Sequence, residues 1–101
     1  MEGHSLISND VLASYAADAA LEVDGVAGLV ESPIHRHKGV RVLEDDGDVT
    51  VELHLRVDWG ASAPDVGAVV QERVARYLER MADVTPSAVD VVVAEFAAPA
   101  H

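Results

Sequence analysis

The chain has 101 residues, 50% hydrophobic and 25% charged, the composition of one globular domain with little room for a second. Eighteen carboxylates against seven lysines and arginines leave a net charge of −11, a field that repels phosphate backbones and anionic lipid. The absence of cysteine removes disulfides, thiolate metal sites, cysteine nucleophiles and the CxxC that iron–sulfur carriers of the NifU type require.

Residues 1–7 have neither a basic region nor a useful apolar run, so they read as a tail and not as a leader peptide. No stretch approaches the ~20 apolar residues of a membrane span, so direct insertion is not expected. Ser8 is placed to cap a helix starting at Asn9. Along it Val11, Leu12, Tyr15, Ala16, Ala19, Ala20 and Val23 recur at helical spacing, up to a stop at Asp24-Gly25. Residues 26–30 read as a packed extended segment or an irregular turn. A loop follows over residues 31–38, then a strand over residues 39–44 and hairpin turn chemistry in Asp45-Asp46-Gly47-Asp48.

The strongest pattern comes next. Val49, Val51, Leu53, Leu55, Val57 and Trp59 alternate with Thr50, Glu52, His54, Arg56 and Asp58, which predicts a strand with one buried and one wet face. Ser62 and Pro64 open a second helix whose apolar side is Val66, Val70, Val74, Tyr77, Leu78 and Met81. A turn at residues 85–87 leads to a β-branched strand over residues 88–96, and residues 97–101 form a tail. The predicted fold is α+β: one domain over residues 8–96 in the order α-β-β-α-β, about three strands with two helices on one face. The last strand runs parallel to the alternating strand if beside it, or antiparallel to the first strand if beside that one.

Motifs for chemistry fail one by one. Gly25-Val26-Ala27-Gly28 has the GxxG spacing of a KH-type nucleic-acid clamp, but it follows a lone helix in an anionic chain, so helix termination is the better account. His35-Arg36-His37-Lys38 is the one dense basic patch; two histidines at i and i+2 lack further ligands, so no metal is assigned. The acidic turn is not a calcium loop, since Gly47 at the sixth position puts Val42 first and Leu53 twelfth. No GxSxG, Walker or Rossmann motif is present. The expectation is therefore no enzyme, no catalytic residue and no cofactor.

Several pieces in order resemble the alkaline-shock-protein family of Gram-positive envelope-stress proteins. They are Ile7-Ser8-Asn9-Asp10-Val11 with ADAALEVDGVAGL, Lys38-Gly39-Val40-Arg41-Val42, VTVELHLRVDWG, PDVGAVVQERVARYLERM and Val89-Asp90-Val91-Val92-Val93. The chain departs from the family at Ala82-Asp83-Val84, at Trp59 and at Ala61. The resemblance implies a non-enzymatic protein tied to envelope or alkaline stress, self-assembling and sometimes held near the membrane by a membrane-anchored partner. The expected role is a cytoplasmic scaffold or protein-interaction domain, membrane-peripheral where a partner holds it there, with a KH-like nucleic-acid-binding module as the alternative. Thr50, Glu52, His54 and Arg56 on the wet sheet face, with Val92 and Phe96 beside them, are the candidate interaction surface. The expected partners are copies of the chain itself or a membrane-anchored protein, and no nucleic acid.

Overall fold

The computed structural model describes residues 8–31 and 39–98. The elements run α1 (Asn9–Leu21), β1 (Val26–Leu29), β2 (Val40–Asp45), β3 (Asp48–Val57), α2 (Ala63–Ala82) and β4 (Ala88–Phe96). The basic patch His35-Arg36-His37-Lys38, the tail at residues 1–7 and residues 99–101 lie outside the described residues.

Both helices start on serine caps. Ser8 Oγ accepts from the Val11 N–H at 3.2 Å, and Ser62 Oγ from the Asp65 N–H at 3.4 Å, each supplying a partner for a donor the first turn leaves orphaned. α1 stops at Leu21, earlier than the Asp24-Gly25 stop its sequence suggests. The Val23 N–H bonds Ala20 O at 3.1 Å in a tightened last turn, which drops Val23 into the core. Gly25 then turns the chain at φ +98, and a Cβ there would meet Val66 Cγ2 at 2.7 Å. α2 ends on Asp83 in the left-handed conformation (φ 56), with its N–H on Glu79 O.

β3 is the centre of the sheet. One edge carries β4 in parallel, from Thr50↔Ala88 to Val57↔Phe96. The other carries β2 antiparallel along Asp48 to Leu53 and β1 antiparallel along Leu55 to Val57. Residues 26–30, open between extended segment and turn in the sequence, thus supply a fourth strand. The sheet is still three lanes wide, because β1 and β2 share a lane. The Val30 N–H donates to His54 O, and the His54 N–H donates to Gly39 O, so the chain leaves that lane after Val30 and rejoins it at Gly39. Asp46 and Gly47, at φ 53 and 83, form the two-residue turn between β2 and β3, with the twist such hairpins favour.

The alternation of β3 is realised. Val49, Val51, Leu53, Leu55 and Val57 are buried beneath both helices, and each such side chain contributes about 1.5–3 kcal/mol of transfer free energy. α2 meets them with Val66, Val70, Val74, Leu78 and Ala82, a stripe of four-residue steps. Met81 falls three residues after Leu78 and is 46% exposed, off the apolar side expected of it. α1 packs through Leu12, Ala13, Ala16, Ala17, Ala19 and Ala20, small residues that allow close approach, while Val11 is exposed. Tyr15 and Tyr77 join the two helices edge to face, centroids 5.9 Å apart. Trp59 also departs from the alternation: β3 ends at Val57, and Trp59 lies in the following turn, 65% exposed.

Candidate functional site

The face of the sheet turned away from the helices can be read row by row from the strand register. Leu43, Thr50 and Ala88 form one row; Arg41, Glu52 and Asp90 the next; His54 lies beside Val92; Gly28, Arg56 and Glu95 close the set. Paired residues share a face, so Thr50, Glu52, His54, Arg56 and Val92 do converge on one surface. No described element covers it.

Its charges are largely paired among themselves. His54 Nε2 and Glu52 Oε2 are 3.0 Å apart and half-buried, and Arg56 Nε donates to Glu95 Oε1 at 2.9 Å across the β3–β4 boundary. The Arg56–Glu95 pair lowers the cost of desolvating those two charges against a partner, while Arg41 and Asp90 on the same face have no side-chain partner among the described residues. Apolar area comes from Leu43 and Val92, each 40% exposed.

Phe96 sits elsewhere. The ladder slips between Leu55 and Arg56, so Ala94 is passed over and Glu95 takes the place beside Arg56. Phe96 is thereby set beside Val57, out of phase with Val92. Its ring, 50% exposed, meets Trp59 edge to face with centroids 6.4 Å apart. Trp59 and Phe96 thus form an exposed aromatic pair at one end of the sheet. Sequence alternation hid this by assigning Trp59 to the buried side, and Leu43 was also missed. The signal for Leu43 was available, since it interrupts the apolar–polar alternation of Val40, Arg41 and Val42.

β4 pairs with β3 alone among the described strands, so its outer side is a sheet edge. Between that edge and α2 runs a groove of about 340 Å³, lined by Ala63, Gly67, Ala68, Gln71, Val91 and Val93. Gln71 Nε2 donates to Val89 O at 2.9 Å and covers one end of the edge. A second, larger cleft of about 790 Å³ opens between α1 and α2 and is lined by Arg73, Arg76, Tyr77, Arg80, Glu22 and Glu79. Among the described residues there is no group of three His, Asp or Glu side chains able to hold a metal, and no helix long and apolar enough to cross a membrane. The GxxG glycines divide between a helix end and a strand: Gly25 closes the turn after α1 and Gly28 lies within β1, where a KH clamp leads into a helix.

These features define a two-layer α+β domain, a mixed sheet covered by two helices on one side and, among the described residues, bare on the other. The chain belongs to the alkaline shock protein 23 family, described by a cell envelope-related function, which it matches over residues 1–97. It is 35% identical over 96 residues to the uncharacterized protein YqhY of Bacillus subtilis (strain 168), covering 84% of this chain and 70% of that one. It is 28% identical over 99 residues to the uncharacterized protein Spy1614 of Streptococcus pyogenes serotype M6, covering 86% and 82%. Among solved structures, the zinc form of a MamM CTD variant superposes with a TM-score of 0.67 at 18% identity, covering 89% of this chain and 87% of that one. A manganese form superposes at 0.64, with 18% identity and 85% and 96% coverage. At such identity the likeness is one of fold.

Proposed function

We propose that this protein is a non-enzymatic scaffold or protein-interaction domain of the cell envelope, acting in the response to envelope stress and assembling with copies of itself. The observation that carries the reading is a sheet face that no described element covers, bordered by the β4 edge that no described strand pairs, a combination that invites either face-to-face packing or strand addition. Family membership supports the envelope setting. In this reading the chain resides in the cytoplasm and reaches the membrane through an anchored partner.

Sedimentation velocity over a concentration series tests the assembly. The wild-type chain should form species larger than a monomer. Val92→Glu on the open face and Phe96→Asp in the exposed aromatic pair should shift it toward monomer, with urea stability held within about 0.5 kcal/mol, as surface substitutions allow. A chain that stays monomeric throughout, or variants that lose stability in step with assembly, would overturn the assignment of these residues to the interface. A fluorescent fusion spread evenly through the cell under envelope stress would remove the envelope part of the reading.

A further inference from the structure

Two surfaces that the fold does not need are complementary in charge. The first is the β2–β3 hairpin tip, where Glu44, Asp45, Asp46 and Asp48 crowd around a two-residue turn. None of the four carboxylates has a side-chain partner among the described residues. The second is the α1–α2 cleft, which holds three of the chain's seven cationic side chains. Arg73, Arg76 and Arg80 sit at i, i+3 and i+7 and so line one face of α2. Arg73 has no side-chain partner among the described residues. Arg76 holds an exposed Glu72 at 2.9 Å, the kind of surface pair that exchanges partners at little cost. Arg80 lies over the Tyr77 ring at 5.9 Å, which fixes its charge at the cleft without neutralising it. Glu22 and Glu79 also line the cleft. Thr85 Oγ1 donates to Glu79 Oε2 at 3.4 Å, which draws that carboxylate toward the end of α2.

We infer that the arginine cleft between α1 and α2 receives the acidic hairpin tip of a second copy of this chain. The contact joins two different surfaces and is therefore heterologous, so it propagates from copy to copy unless a ring closes. Pairing of two equivalent β4 edges or sheet faces closes on itself as a dimer, so this contact goes beyond the sheet-based reading. It would turn dimers into an extended scaffold. It also offers a chain of net charge −11 a way to associate with itself, since four of its eighteen carboxylates gather at a tip and three of its seven cations at a cleft.

Sedimentation velocity of the full chain at about 0.05 M and about 0.5 M salt tests the contact, since exposed charge pairs are screened at the higher value. Two variants are needed, one with Asp45→Lys and Asp48→Lys, the other with Arg73→Glu and Arg76→Glu; both leave the Asp46-Gly47 turn and the Arg80–Tyr77 contact intact. Each alone should lose about tenfold or more in low-salt association, and an equimolar mixture should recover it, because each then offers the charge the other lacks. The tip variant carries the sharper sign, since removing negative charge from an acidic chain otherwise favours association. Association that ignores salt and survives both reversals overturns the inference. If Val92→Glu abolishes that association, the sheet-based reading stands without it. If association is lost on reversal and restored on mixing but is indifferent to Val92→Glu and Phe96→Asp, the charge contact stands and the sheet surface is not the interface.

Discussion

Gly39 and Gly47 have nearly the same backbone, φ +81 and +83, yet the fold asks different things of them. At Gly39 a Cβ would sit 2.7 Å from Val30 O and 3.0 Å from Val30 N, because this is where the chain rejoins the lane it left. At Gly47 nothing lies within 4 Å. Gly47→Ala should therefore cost only the left-handed strain, about 1–3 kcal/mol, whereas Gly39→Ala should cost that and the displacement of the Val30 backbone as well. Urea unfolding of the two variants checks the order, and equal losses would mean that the lane does not close as tightly as its geometry requires. From the sequence both positions read simply as turn or strand-start glycines. The difference between them is a contact between Val30 and Gly39, which no local pattern encodes.

α2 offers a comparison on one element. Leu78 is fully buried against the sheet, and Leu78→Ala should cost about 2–5 kcal/mol; Met81, 46% exposed, should tolerate Met81→Lys within about 0.5 kcal/mol. Thermal or urea melts of the pair decide it, and a large loss at Met81 would restore it to the apolar side that its spacing suggests. Apart from β1, which the sequence left open between extended segment and turn, the elements were legible from local signals: serine caps at Ser8 and Ser62, strict alternation in β3, and β-branched residues in β4. Limits and neighbours were less so. Tyr77, Leu78 and Met81 all fit a helical stripe, and the underlying sheet chose Leu78 and Ala82. Likewise the β4 ladder slip that separates Phe96 from Val92 leaves no mark in a nearly continuous apolar run. The candidate face was therefore readable for Thr50, Glu52, His54, Arg56 and Val92, and not for Phe96 or Trp59.

At the scale of the whole molecule, backbone hydrogen bonds distinguish the two ways the sheet can be used. The Ala97 N–H donates to Val57 O and the Ser87 N–H to Val49 O, while His54 bonds Val30 and Gly39 on the opposite side. Odd residues of β3 thus face β4, and even ones face the lane of β1 and β2. In a parallel ladder a residue bonds the two neighbours of its partner, so Leu53, partnered by Val91, engages Asp90 and Val92. The amides of Val91 and Val93 consequently point outward over the groove beside α2, and Val89 does the same, which is how its carbonyl meets Gln71. In the dilute monomer, amide exchange at Val91 and Val93 should be fast while Asp90, Val92 and the interior of β3 are protected. If copies join by strand addition at β4, raising the concentration should slow Val91 and Val93 selectively. If they join through the open face, those two amides should stay fast while association proceeds, which would leave the edge unused. Exchange followed residue by residue at two concentrations therefore reads out which surface holds the assembly together.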